Sequence, residues 1–316
     1  MKMGMKGNSE NFVFYGTSAF AADVLRYLCK AGWKPELVIT TKAKPAGRGL
    51  TTSPTPVAET AKELGCEALE VSTLKTAEIQ AQLKERATPW ALLAAFGKIV
   101  PHGIIDLYPK GIVNMHPSLL PKYRGASPIQ YAIMNQEGET GVSLMLLDAE
   151  VDHGPILAQE KAPISANENA LELSQKLAKL GSELALKHVP SYLSGSLSPV
   201  PQDHSQATFT KLITREHGQA DFSLSAEALD AKRRAFTPWP GLWTMWQGKR
   251  LKLCNTEPVQ KQLESGLAQV EGNDIFIGCS HGSLRVLSLQ LEGKKELPSP
   301  DFLRGYQTFT NSKFSY

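Results

Sequence analysis

Within Gly111-Ile112-Val113-Asn114-Met115-His116-Pro117, an amide and an imidazole stand two residues apart. Ile112 and Val113 read as the end of a short β-strand, which Pro117 stops because it has no N–H to give a ladder. Residues two apart in a strand face the same way, so Asn114 and His116 project together. A second strand, Val142 to Leu147, leads into Asp148-Ala149-Glu150-Val151-Asp152, three acids in five residues. An amide, an imidazole and one of these carboxylates in one place suit acyl transfer to an amine. The amide and a protonated imidazole donate hydrogen bonds to a developing oxyanion, while His or Asp takes the proton the amine must lose. The chain has no Gly-x-Ser-x-Gly elbow to supply a nucleophile, which favours direct transfer over a covalent intermediate. On spacing alone the bland alternative stays open: a His before Pro that satisfies backbone groups, and turn acids that are merely solvated.

Positioning these groups takes an α/β sheet, because ligands of open sheets sit at the carboxyl ends of strands. The three groups are therefore expected to meet at a single sheet edge. Phe12 to Tyr15 reads as a first strand, Phe20 to Ala31 as a helix and Leu37 to Thr40 as a second strand. The turn Gly16-Thr17-Ser18-Ala19-Phe20-Ala21 lacks the second and third glycines of a dinucleotide site, and no P-loop occurs. A Rossmann-like layer without the usual NAD or ATP site follows. Helices are expected over Thr55 to Leu64, Ala77 to Arg86 and Ala126 to Asn135. Trp90 to Phe96 is apolar throughout, as a central parallel strand covered on both faces would be. Gly154 to Glu160 reads as an antiparallel return strand. Leu173, Leu177, Leu180, Leu184 and His188 recur at helical spacing on a covering helix. Residues 194–207 turn to Ser, Pro, Gln and Gly and read as a linker. Beyond them Ser225 is expected to cap a helix ending in Lys232-Arg233-Arg234, and short strands over Leu242 to Trp246, Leu251 to Cys254, Asp274 to Gly278 and Leu284 to Leu291 point to a small β-barrel of the OB-like kind.

At 316 residues two domains are expected. The hydrophobic share of 42% and charged share of 21% are those of a folded soluble chain, and no apolar run nears the roughly 20 residues that span a bilayer. A cytoplasmic location is the expectation. Cys29, Cys66, Cys254 and Cys279 lack paired metal-ligand spacing and read as reduced thiols, with no metal site. From residue 205 onward there are 14 Lys+Arg against 11 Asp+Glu, leaving 20 against 20 before it, so the whole net charge of +3 lies in the C-terminal part. An exposed loop, Thr41 to Pro54, gathers Gly, Pro and cations, and Arg48 in it could reach phosphates.

The run Asn114-Met115-His116-Pro117-Ser118-Leu119-Leu120-Pro121-Lys122-Tyr123-Arg124-Gly125 resembles the signature of the folate-dependent formyltransferases, and Asp148-Ala149-Glu150-Val151-Asp152-His153-Gly154-Pro155 resembles their second motif. Pro45-Ala46-Gly47-Arg48-Gly49 and Ala235-Phe236-Thr237-Pro238-Trp239-Pro240-Gly241 are similar to features of the branch that formylates methionine on initiator tRNA. The likeness runs over nearly the whole chain from about Phe12. It implies a catalytic Asn114, His116 and Asp152, and 10-formyltetrahydrofolate as formyl donor. The folate would lie along Ser118, Leu119, Leu120 and Pro121 and under a wall of Phe96, Gly97 and Ile99. Initiator methionyl-tRNA is the implied acceptor, approached by Arg48 and Lys211. The implied layout is a disordered extension over 1–10, a catalytic domain over 11–193, a linker over 194–207 and an OB-like tRNA-binding domain over 208–316, in a monomer. Other family members use aminosugar nucleotides or water as acceptor. The chain departs from the pattern at Ala43, where many relatives carry Asp, and at Leu50 to Thr52, which lack the usual lysines.

Overall fold

A computed structural model describes residues 11–43, 45–46 and 51–314. In chain order the elements begin with β1 (Phe12–Gly16), α1 (Ala19–Lys30), β2 (Leu37–Thr41), the paired two-residue strands β3 (Pro45–Ala46) and β4 (Thr51–Thr52), α2 (Pro56–Glu63) and β5 (Ala68–Val71). They continue with α3 (Ala77–Arg86), β6 (Trp90–Ala94), α4 (His102–Ile105), β7 (Ile112–His116), β8 (Arg124–Gly125), α5 (Pro128–Met134), β9 (Glu139–Leu146), β10 (Ile156–Pro163) and α6 (Ala170–Leu193). Last come β11 (Phe209–Thr210), α7 (Ala226–Ala235), β12 (Leu242–Trp246), β13 (Lys249–Val259), β14 (Ala268–Glu271), β15 (Asp274–Gly278), β16 (Ser283–Leu291), β17 (Leu297–Pro298) and α8 (Ser299–Gly305). Ser18, Thr55, Thr76 and Ser225 each cap a helix by accepting a backbone N–H three residues on.

The chain packs as two units. The first takes the described residues up to Gly125, with Glu139–Pro163 and Ser174–Phe209. Its sheet has the order β10-β9-β7-β6-β1-β2-β5. β7, β6, β1, β2 and β5 run parallel, and β9 and β10 are antiparallel, as the return strand requires. All five residues of β1 and of β6 are buried, which explains their unbroken apolarity. β6 ends at Ala94, short of the expected Phe96, because Ala95 takes a left-handed φ of 41°. The stretch expected as a linker lies within this unit, where Val200 and Ile156 exchange both backbone hydrogen bonds at 2.8 Å.

Alternation along β7 sends Met115 to the face opposite Asn114 and His116. There α6 comes close: a Cβ on Gly181 would lie 2.5 Å from Met115 Sδ. The helix thus backs the strand from behind the two polar side chains. The second unit, Ala126–Gly138, Ile164–Leu173 and Thr210 onward, holds a wholly antiparallel sheet in the order β12-β13-β16-β15-β14, with β17 on β16. Its core includes Leu229, Leu251, Ile275, Leu289, Phe302 and Phe309, all at most 1% exposed. The expected short strands are present; β14, β17 and α8 are additions. The cationic end of α7 is engaged within the unit. Asp230 bonds Arg233 at 3.0 Å, Arg234 at 2.9 Å and the Thr256 hydroxyl at 2.8 Å. Burial lowers the Lys232 pKa below the usual lysine value, and its ammonium donates to the Gln219 carbonyl. Among the described residues no helix is long and apolar enough to cross a membrane.

Candidate active site

Asn114 and His116 are each 5% exposed on β7. β9 runs antiparallel to β7, pairing Met145 with Asn114 and Ser143 with His116, so it ends beside the start of β7. The end of β9 itself therefore lies away from the His116 end of β7, yet the three groups meet. The loop after β9 turns back, and Asp152 reaches both side chains. Asn114 Nδ2 donates to Asp152 Oδ1 at 3.0 Å, and His116 Nδ1 lies 3.5 Å from Asp152 Oδ2. The Gly125 N–H donates to Oδ2 at 2.8 Å.

These partners fix the chemistry of each group. His116 Nε2 is 2.9 Å from the Tyr123 carbonyl, which can only accept, so Nε2 carries a proton and Nδ1 is the nitrogen that faces Asp152. Tyr123 itself holds a left-handed φ of 61°, an uncommon conformation for a bulky residue. The Asn114 amide has two N–H groups; Asp152 takes one, leaving the other for a substrate oxygen. A fixed carboxylate, an imidazole and an amide donor brought together in this way can stabilise an oxyanion and accept a proton from an amine.

The turn after β7 is pinned as tightly. Ser143 Oγ donates to the Ser118 carbonyl at 2.6 Å and accepts from the Leu120 N–H at 3.0 Å. Gln159 Nε2 donates to Ser143 Oγ and to the Leu120 carbonyl, both at 2.8 Å. Ser118 is fully buried, its hydroxyl donating to the Lys122 carbonyl at 2.6 Å; Leu120 is 3% exposed, and Leu119 and Pro121 are half-buried. Of the expected wall residues, Phe96 is 1% exposed and packs edge-on to Tyr15 in the core, whereas Ile99 is 88% exposed. Gly97 is exposed, and a Cβ there would meet nothing within 4 Å. Lys211 is exposed in the second unit. Arg48 and Leu50 lie outside the described residues. The Tyr123 carbonyl, Ser143, Gln159 and Gln202 were not singled out from the sequence.

Known proteins resemble this chain in sequence and in fold. A family model for "Formyl transferase" matches residues 10–189, and one for its C-terminal domain matches residues 212–307. Methionyl-tRNA formyltransferase of Koribacter versatilis is 38% identical over 297 residues, covering 93% of this chain and 95% of that one. The enzyme of the same name from Myxococcus xanthus is 39% identical over 302 residues, covering 95% and 96%. Among solved structures, a variant of HypX from Aquifex aeolicus superposes with a TM-score of 0.67 at 15% identity, covering 98% of this chain, which spans 51% of the HypX chain. An N-formyltransferase from Helicobacter canadensis gives a TM-score of 0.64 at 20% identity, covering 88% of this chain and 98% of that one. At those identities the structures speak for the fold, while the matched models and relatives cover nearly the full length: the chain belongs to the formyl transferase family.

Proposed function

We propose that this chain moves the formyl group of 10-formyltetrahydrofolate onto the free α-amino group of methionine esterified to initiator tRNA, giving formylmethionyl-tRNA for translation initiation. The observation that carries the reading is the meeting of Asn114, His116 and Asp152 in a chain 38% and 39% identical to two methionyl-tRNA formyltransferases over more than nine-tenths of its length. β6 and β7 are parallel neighbours, so the loop after β6 lies beside the His116 end of β7. Its exposed Ile99 and open Gly97 offer an apolar surface that a flat pterin fits. The half-buried Leu119 and Pro121 of the turn after β7 supply further lining, and the buried Ser118 and Leu120 hold that turn in shape. The bound folate supplies a formyl group attached to nitrogen, ready for transfer.

Asn114 presents its second N–H, and His116 its protonated Nδ1, to the formyl oxygen as negative charge grows there. Asp152 holds the Asn114 amide in orientation, faces the imidazole and accepts the proton that the attacking amine releases, which would pass on to the nitrogen of the departing tetrahydrofolate as its bond to the formyl carbon breaks. His116 keeps its ring plane through Nε2 on the Tyr123 carbonyl, which leaves Nδ1 to face Asp152 and the formyl oxygen. Arg48 and Lys211 contact tRNA phosphates, which makes binding salt-dependent.

The deciding experiment is formyl transfer from 10-formyltetrahydrofolate with methionyl initiator tRNA, methionyl elongator tRNA, an aminosugar nucleotide or no acceptor. Transfer confined to the initiator species is expected. Donor turnover without acceptor, or with the aminosugar alone, refutes the acceptor assignment.

A further inference from the structure

Asp152 is held in a left-handed backbone conformation, with φ 49°. An L side chain adopts this region at a cost, and it persists only where the surroundings over-determine it. Besides the bonds to its carboxylate, one side chain holds the backbone there. Gln202 Nε2 donates to the Asp152 carbonyl at 2.9 Å and to the Gly154 carbonyl at 2.8 Å, so a single amide grips the chain on both sides of the bend. Gln202 is 6% exposed, and its orientation is fixed from the far side. Its Oε1 accepts from Arg124 Nη2 at 2.7 Å and Nε at 3.2 Å, so the nitrogen must face the two carbonyls.

The anchor is itself braced. Arg124, 3% exposed, also donates from Nη2 to His204 Nδ1 at 2.8 Å. The His204 ring stacks on His153 with centroids 4.0 Å apart and planes 3° from parallel, and His153 Nδ1 bonds Asp148 Oδ2 at 2.7 Å. The contacts close a circuit from residue 202 through 124, 204, 153 and 148 back to the Asp152 loop. Gly154 cannot give way either, since a Cβ there would lie 1.9 Å from the Leu146 carbonyl oxygen.

We infer that Gln202 is a positioning residue for the transfer reaction: by holding the Asp152 and Gly154 carbonyls it aims the Asp152 carboxylate at Asn114 and His116. This rests on the catalytic reading of Asp152 given above. Gln202 touches neither Asn114 nor His116 by any hydrogen bond described, so its effect must pass through the Asp152 backbone.

The test is a double-mutant cycle in the full chain, with Gln202→Glu, Asp152→Asn and the pair. Glu keeps the volume and the acceptor for Arg124 but, ionised, donates to neither carbonyl. Misplacing a reacting group by about 1 Å can cost on the order of 100-fold, so Q202E is expected to lower kcat by about tenfold or more, with KM for folate and for methionyl-tRNA within about twofold. In the D152N background the same change is expected to cost little further, because the group it aims is already disabled. Gln202→Asn, which withdraws the reach without adding charge, serves as the second variant and is expected to behave alike. Losses that multiply in the double variant, or a kcat within threefold of the parent for Q202E and Q202N, overturn the inference. If D152N alone leaves kcat unchanged, it is the catalytic reading that fails.

Discussion

Replacing Asn114 with Ala removes one amide and tests the role assigned to it. The backbone of β7 is untouched, since Asn114 sits between Leu93 of β6 and Met145 of β9 in register. Two functions go with the side chain: the N–H left for the formyl oxygen and the N–H that holds Asp152 Oδ1 at 3.0 Å. Loss of a single oxyanion donor typically costs about 10²–10³ in kcat, about 2.7–4 kcal/mol. Gly125 still holds Oδ2 at 2.8 Å, so the carboxylate keeps one of its two donors, and a fall near the upper end of that range is expected. The side chain is buried, so stability falls too, by about 1–3 kcal/mol for the Asp152 oxygen left without its donor. Steady-state formyl transfer at saturating donor and methionyl-tRNA reads kcat, and thermal unfolding reads the fold. A kcat reduced less than tenfold, or a loss found only in the KM for tRNA, refutes the oxyanion assignment.

Three further outcomes are expected. His116→Ala should lower turnover by about 10²–10⁴-fold, the usual worth of a positioned acid or base, while tRNA affinity by filter binding stays unchanged; unchanged turnover would sink the mechanism. Asp230→Ala strips Arg233 and Arg234 of their shared carboxylate in a site where Arg234 is 9% exposed, and should destabilise the second unit by about 3–5 kcal/mol in denaturant unfolding; a loss under 1 kcal/mol would make that cluster decorative. Alkaline lability should appear as well. Burial pushes the Cys29, Cys254 and Cys279 thiols up from 9.0 to about 12, and burial with the facing Tyr108 hydroxyl raises Tyr15. Unfolded thiols release protons from about pH 9 while the folded ones wait, so this stability is complete below pH 9 and lost as pH climbs towards 12. A Tm constant from pH 8.5 to 11 would contradict it.

What was legible in the sequence was legible for physical reasons. Asn114 and His116 obey the two-residue period of a strand, and Pro117 marks where the strand must stop, so their shared direction needed no tertiary knowledge. The apolar run at Trp90 and the leucine spacing from Leu173 follow from burial on two faces and on one stripe. The path of Asp152 did not follow, because strand direction is decided by pairing: β9 reads the same from sequence whether it runs parallel or antiparallel to β7. Phe96 reads as wall or core alike, and only its packing on Tyr15 puts it inside. Gln202 stands in a Ser- and Pro-rich stretch with no period, where composition says linker and a single bridging amide leaves no mark.

The division of labour between strand and loop follows from the same physics. The two donors sit on a paired, buried strand whose rear is fixed by Met115 against Gly181, so their separation is set by the β repeat and varies little. A carboxylate that must meet both of them from above cannot come from a neighbouring strand in register; it needs a chain reversal. The reversal at Asp152 forces a left-handed residue and leaves carbonyls turned away from any ladder, and those carbonyls require donors. The Gln202 amide supplies them, and its own remaining acceptor requires the guanidinium of Arg124. Each polar group added to place the carboxylate thus calls for the next, until the circuit ends on His153 and Asp148 in the same loop that began it. Chemistry concentrated in three side chains therefore depends on a longer series of donors and acceptors, from the buried Gln202 and Arg124 out to the exposed His204, none of which touches the reacting atoms.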